Sequence, residues 1–244
     1  MFWRSFPHFL TNIICGFVPN TARRKKVRTI LNSPFVSELN FARRTVPGRV
    51  RSVRTAVGFM ARSLIIIINK QWVFKFPLKR DNYRELALRE KRLVDALAPY
   101  SPVHVPPVEL LYHGRKIVRM YEFVQGKNIR DFSPERILAH RMELARQIAQ
   151  FMFDIGRVDP PEIRDLKPTP DARPGYAYGW FQGDICDNFM VDANTMKIIA
   201  FIDWEDCEFC DFSSAFTREP KTPQRELMAA VKTEYDRLYA QLKK

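Results

Sequence analysis

The chain's architecture turns on residues 180–212, which read WFQGDICDNFMVDANTMKIIAFIDWEDCEFCDF. Two short apolar runs, residues 189–191 and 197–202, flank the polar stretch Asp192-Ala193-Asn194-Thr195. This pattern predicts a β-hairpin closed by a polar turn. Asp184 and Asn188 precede the first strand and Asp203 follows the second, so one hairpin brings two carboxylates and an amide into a small volume. Hard oxygen donors in this number suit Mg²⁺, which takes one or two protein carboxylates and completes its shell with water and substrate phosphates. The plainer alternative is a solvated turn ringed with acids.

Upstream, a second pair of residues breaks an apolar pattern. Residues 51–57, 63–68 and 72–76 are β-rich runs, with Asn69-Lys70 as a tight turn between the last two, which predicts a three-stranded antiparallel sheet. Within Trp72-Val73-Phe74-Lys75-Phe76 the ammonium of Lys75 interrupts a strand with apolar neighbours on both faces, and a buried ammonium needs a partner. The helix that follows supplies one. Leu86, Glu90, Leu93 and Leu97 recur at helical spacing, which places Glu90 on the inward stripe, with Glu85 as the other candidate. A snorkelling Lys75 beside a surface Glu90 is the simpler alternative. The only glycine between the first two strands is Gly58, so no Gly-rich phosphate loop is present there.

Gln182-Gly183-Asp184, Asn188, then a strand, a turn and Phe201-Ile202-Asp203-Trp204-Glu205 with Asp211 beyond resemble the catalytic and metal-binding segments of aminoglycoside phosphotransferases and choline kinases. That resemblance implies an α+β, bilobal protein-kinase-like fold, with a small antiparallel sheet lobe and a mainly helical large lobe. It further implies Asp184 as the catalytic base, Asn188 and Asp203 as magnesium ligands, and Lys75 held by Glu90 while it grips the phosphates of ATP. Asp211 matches the family's structural aspartate. The run from Arg119 to Gly126 resembles the interlobe hinge, where the backbone of Glu122 to Val124 would meet the adenine edge. Gln182 stands where the family has His, and Asn188 follows Asp184 by four residues instead of five.

The rest of the chain reads as scaffold. Residues 108–112 and 116–123 predict another hairpin around His113-Gly114, and Ser133 caps a helix running to Gly156 through Ile137, Met142, Ala145, Ile148, Met152 and Ile155. Residues 157–178 read as a Pro- and Asp-rich surface loop, and residues 223–242 as a final amphipathic helix. Four cysteines without a recognisable secretory signal argue for a reducing compartment. Cys207-x-x-Cys210 alone is weak evidence for a zinc or redox site.

Charge is concentrated at the amino terminus. Of the net +13 over 244 residues, +10 falls within residues 1–54, where eleven basic residues face the single acid Glu38. Phe2, Trp3, Phe6, Phe9, Leu10, Ile13, Ile14 and Phe17 lead, and the cluster Arg23-Arg24-Lys25-Lys26 with Arg28 follows. Apolar bulk before charge suits an interfacial helix anchored on an anionic membrane through residues 1–30, whereas nucleic acid would favour aromatics interleaved with basic residues. An arm docked on its own domain is the alternative. Residues 14–20 leading into the basic cluster resemble the amino-terminal stretch of some bacterial surface-glycan biosynthesis enzymes.

The expected organisation is an arm (1–49), a small lobe (50–125) and a large lobe (126–244). The expected activity is ATP- and Mg²⁺-dependent phosphorylation of a hydroxyl on a saccharide, a membrane glycan such as lipopolysaccharide core. The expected place is the cytoplasmic face of the inner membrane, with no nucleic-acid partner. Two alternatives stand beside it: a soluble choline, amino-alcohol or aminoglycoside kinase, for which Glu205, Asp206 and Glu208 would supply acids to a cationic acceptor, and a pseudokinase that binds nucleotide or a partner.

Overall fold

A computed structural model describes residues 16–17, 35–58, 62–78, 82–218 and 223–242. Nearly all of the apolar and basic run expected to meet a membrane, residues 1–30, lies outside them.

Two layers make the small lobe. Strands β1 (Val53–Val57), β2 (Ser63–Ile68), β3 (Trp72–Pro77), β4 (Glu109–His113) and β5 (Lys116–Glu122) form one antiparallel sheet in the order β1-β2-β3-β5-β4. The three-stranded sheet and the separate hairpin expected from the sequence are thus one sheet, joined where β3 pairs with β5. Asn69 and Lys70 both have positive φ, 55° and 52°, the values of a type I′ turn, which the Gln71 N–H closes by donating to the Ile68 carbonyl.

One face of this sheet carries Leu64, Ile66, Ile68, Phe74, Phe76 and Val118, all buried. Helix α1 (Val36–Thr45) covers them with Leu39 and Ala42, and Val46 follows in the same cluster. Lys116 pairs with Glu38 across this contact at 3.2 Å. The last part of the expected arm is therefore a layer of the small lobe, because an apolar sheet face left open to water would be costly. The opposite face carries Lys75, Arg119 and Tyr121, and against it runs α2 (Tyr83–Leu97), whose Leu93, Val94 and Leu97 enter the large-lobe core.

The large lobe is built on α4 (Arg141–Gly156) packed against α6 (Gln224–Gln241). The single helix expected from Ser133 to Gly156 is broken at His140, whose N–H is shared between the carbonyls of Arg136 and Ile137, giving a short α3 (Pro134–Ala139) before α4. Ser133 Oγ accepts from the Arg136 N–H at the start of α3, as its capping role predicts. The break also shifts the helical phase, and Met142 is 40% exposed instead of buried.

Strands β8 (Phe189–Val191) and β9 (Ile198–Phe201) form the expected hairpin, with β6 (Lys127–Asn128) on its outer edge. Asp192 Oδ1 closes its turn by accepting from the N–H groups of Asn194 and Thr195. A second hydrogen-bonded pair, β7 (Tyr178–Phe181) with β10 (Glu208–Asp211), frames the loop before it, and the short α5 (Ala215–Arg218) leads towards α6. Gly179 allows β7 to lie on the end of α4, since a Cβ there would sit 2.0 Å from the Gly156 carbonyl oxygen. Among the described residues no helix is long and apolar enough to cross a membrane.

Candidate active site

The hairpin ends are stitched together by the backbone and by one buried amide. Gln182, 1% exposed, donates from Nε2 to the carbonyls of Ile202 and Asp203 at 2.9 and 2.8 Å. The Ile202 N–H in turn donates to the Asn188 carbonyl at 2.9 Å. Residues 184–188 form a tight turn in which the N–H groups of Asp187 and Asn188 both donate to the Asp184 carbonyl. Gly183 makes the turn possible: its φ is +90°, and a Cβ would meet the Asp206 carbonyl oxygen at 2.9 Å. Asp184, Asn188 and Asp203 are thereby gathered at one end of the β8–β9 hairpin, with Asp184 exposed and Asn188 half-buried.

Aromatic packing fixes the other side of this turn. Phe151 of α4 stacks on Phe201 with centroids 3.7 Å apart and meets Trp204 edge-on, while Trp204 Nε1 donates to the Phe201 carbonyl. Asp203, between these anchored residues, has a φ of +59°, a left-handed conformation uncommon for a non-glycine residue. On the near side, Asn128 donates to the Asp187 carbonyl and Arg130 pairs with the Asp187 carboxylate at 3.1 Å.

Above the hairpin sits a cluster of buried charges. Lys75 Nζ lies 2.7 Å from Asp203 Oδ1 and 3.2 Å from Glu205 Oε2. Arg119 Nη1 reaches Glu90 Oε2 at 2.5 Å and Glu205 Oε2 at 2.7 Å. Glu90 also accepts from the Tyr121 hydroxyl and from the Trp204 N–H. The expected direct pair of Lys75 with Glu90 is thus not formed. Antiparallel pairing sets Arg119 opposite Lys75 on the same face, and the bulkier, forked guanidinium takes the helix carboxylate. Glu85 is exposed, which leaves Glu90 as the helix acid that reaches the cluster.

Electrostatics follow the geometry. Burial disfavours the Lys75 ammonium, but Asp203, opposed by Arg119 and aided by Glu90 and Glu205, holds its pKa above the ordinary value. Burial alone would raise the Glu205 carboxyl; Lys75 and Arg119 bring it down to about 2. Glu90 and Tyr121 are both pushed up, chiefly by burial. Glu205, read from the sequence as an acid for a cationic acceptor, is therefore committed to the interior, and its backbone carbonyl accepts from Arg89.

The donor set fits a hard divalent cation. Asp203 is partly open to solvent and already has a cation, the Lys75 ammonium, on one oxygen; Asn188 stands across the hairpin. Two protein ligands leave room for water and phosphate, as Mg²⁺ prefers. No group of three or more His, Cys, Asp or Glu poised for a metal occurs among the described residues, so Cys207-x-x-Cys210 with Cys186 makes no zinc site there. None of these three cysteines is in a disulfide, and burial pushes the Cys207 thiol up. Asp211 lies exposed at the end of β10, where it accepts from the Ser213 N–H, and so serves a local turn.

The hinge backbone is partly used by the sheet. Phe123 N–H donates to the Gln71 carbonyl, and Glu122, largely exposed, lies 3.9 Å from His104. Val124 follows, its carbonyl accepting from Gly126 N–H. A groove of about 950 Å³ runs beside the hinge past Pro47, Trp72, Met120 and Glu122, and includes neither Lys75 nor Asp203.

A five-stranded sheet and a helical lobe joined through a hinge, with a lysine, a helix glutamate and a hairpin carboxylate converging between them, can be compared directly with known structures. APH(2'')-IIa in complex with gentamicin superposes with a TM-score of 0.64 at 15% identity, covering 82% of this chain and 81% of that one. The fold is that of the aminoglycoside phosphotransferases. ADP-bound aminoglycoside phosphotransferase APH(2'')-Ib matches at a TM-score of 0.60 and 15% identity, with 81% of each chain covered. The apoenzyme of macrolide 2'-phosphotransferase MphH from Brachybacterium faecium matches at 0.51 and 16%, covering 83% of this chain and 82% of that one. No protein-family model matches the chain, and no curated protein matches it in sequence. The bilobal kinase-like architecture expected from residues 180–212 is therefore present.

Arg119, Tyr121 and Arg130 are the site residues that sequence reasoning missed. Arg119 carried the same signal as Lys75, a charge inside an apolar strand, but only the β3–β5 register shows that the two share a face.

Proposed function

We propose that the chain is a phosphotransferase that moves the γ-phosphoryl group of ATP to a hydroxyl of a saccharide. The observation that carries this reading is the gathering of Lys75, Asp203, Asn188 and Asp184 at the end of one hairpin, on a fold whose solved examples include one bound to ADP and one bound to gentamicin.

Asp184, exposed and carried on a glycine turn, would accept the proton of the acceptor hydroxyl and orient it for in-line attack. Asp203 and Asn188 would hold Mg²⁺, which would supply positive charge against the charge that develops in phosphoryl transfer. Lys75 would exchange its contact with Asp203 for nucleotide phosphate oxygens. Gln182 keeps the two halves of the site in register where the family has His. The experiment is a transfer assay with γ-labelled ATP against aminoglycosides, amino alcohols and lipopolysaccharide core, run on wild type and Asp184→Ala. Label in a sugar with wild type and none with the variant is expected. No transfer to any acceptor despite nucleotide binding would favour a pseudokinase.

Within the saccharide class, two acceptors differ in what supports them. A soluble aminoglycoside-like acceptor draws on the structural neighbours. A membrane-bound glycan draws on the apolar and basic run of residues 1–30, nearly all of which lies outside the described residues and which would hold the protein at an anionic leaflet. The loss of Glu205 to the interior removes one of the acids that a cationic acceptor would have used, leaving Asp206 and Glu208.

A further inference from the structure

Between the two lobes the structure holds more buried charge than a lysine and its glutamate require. Arg119 is 7% exposed and Glu90 1% exposed, and both belong to different elements of the small lobe. A single Arg119 nitrogen joins Glu90 of α2 to Glu205, which follows the hairpin of the large lobe. Glu90 already has Tyr121 and the Trp204 N–H as further donors. Lys75 is left to Asp203 and Glu205. These two contacts differ in kind: Glu205 is held by Arg119 as well, whereas the Asp203 side chain is 41% exposed.

We propose that Arg119 is a positioning residue of this site, which by occupying Glu90 and Glu205 keeps Lys75 directed towards Asp203 and available to nucleotide phosphate. The inference rests on the phosphotransferase reading above. Without the guanidinium, the buried Glu90 carboxylate loses its main counter-ion and Glu205 loses one of its two cations, and the penalty for an unpaired buried charge is large. The nearest remaining cation is Lys75, already 3.2 Å from Glu205. It would be drawn inward, away from the phosphate side. Arg119→Lys would supply one charge but not the rigid, planar guanidinium that holds its Nη1 against both carboxylates, so it would replace arginine only in part.

The test titrates a fluorescent ATP analogue with Mg²⁺ into the full chain and into Arg119→Met, Arg119→Lys, Glu90→Gln and the Arg119→Met/Glu90→Gln double variant, with melting curves for each. Arg119→Met should weaken nucleotide binding by about tenfold or more, the scale of a lost charge-assisted contact. Arg119→Lys should fall between it and wild type. Adding Glu90→Gln to Arg119→Met should restore part of the lost affinity, because one of the two carboxylates that draw Lys75 inward is then neutral and Glu205 alone remains. Rescue of affinity by a second substitution is not what a purely structural arginine predicts. Unchanged affinity in a folded Arg119→Met, or loss that Glu90→Gln leaves untouched, overturns the proposal. Should Arg119→Met fail to fold, the same comparison runs on Arg119→Lys with and without Glu90→Gln, and the same two outcomes decide. Absence of nucleotide binding in wild type would overturn the phosphotransferase reading and this role with it. Strong coupling of Arg119 and Glu90 in the melts would then mark a pair that only holds the fold.

Discussion

Asp203 concentrates the chemistry of the site in one side chain. Its carboxylate is the partner of Lys75, its carbonyl is held by Gln182, and its left-handed backbone is one that asparagine tolerates well. Asp203→Asn should therefore keep the fold while removing the charge that a metal needs, and calorimetry should find Mg²⁺-dependent ATP binding abolished. Retained affinity would mean that the metal sits elsewhere. Glu205 gives a second, pH-linked expectation. Its folded pKa of about 2 lies below its ordinary value of 4.5, so it adds stability above pH 4.5 that is lost as pH falls from 4.5 towards 2. The difference in stability between wild type and Glu205→Gln should shrink through that window and stay level above it; a difference that grows on acidification would reverse the assigned sign. The individual acids were legible in the sequence because the hairpin pattern around them is strong. Their partners were not, since Lys75 meets Asp203 across 128 residues and Arg119 meets Glu205 across 86, and no local periodicity records such pairings.

At the scale of elements, local pattern and tertiary demand can be told apart. The β2–β3 and β8–β9 hairpins lie where turn chemistry and β-branched or aromatic runs placed them, because a short turn and its flanking strands are specified by neighbouring residues. The β7–β10 pairing was missed: its strands are four residues each and lie far apart in sequence, with no turn between them to mark the pair. Likewise His140 breaks a helix whose apolar repeat runs through it almost unmarked. Helix α1 is the most consequential case, since its charged outer side led to its assignment as arm while Leu39 and Ala42 close the sheet's apolar face. Leu39→Ala should cost about 2–5 kcal/mol, the usual range for truncating a buried leucine, and lower the melting temperature. The matching change at Leu88, which is exposed, should leave it nearly unchanged. Equal effects at both positions would show that α1 is not a layer of the core.

The described residues form two cores, one under the sheet and α1 and one around α4 and α6, with charged residues of both lobes meeting between them. The proposed action at a membrane rests on the run of residues ahead of α1. If the apolar side of residues 2–17 enters a bilayer interface while residues 23–28 lie over anionic headgroups, the two contributions act together. Each basic residue near such a leaflet adds about 1 kcal/mol, and the aromatic side chains add buried apolar area that salt does not screen. Flotation with vesicles should then be strong on anionic lipid, weak on zwitterionic lipid, and only partly reduced by high salt. The truncation must stop short of Val36, since removing α1 would uncover the sheet and confuse loss of anchoring with loss of fold. A chain lacking residues 1–30 should keep its melting temperature, no longer float, and transfer phosphate more slowly to a lipid-linked sugar while treating the same sugar without lipid as before. Equal flotation of both chains would leave the membrane-bound acceptor without its main support and make a soluble, aminoglycoside-like saccharide the better substrate for this site.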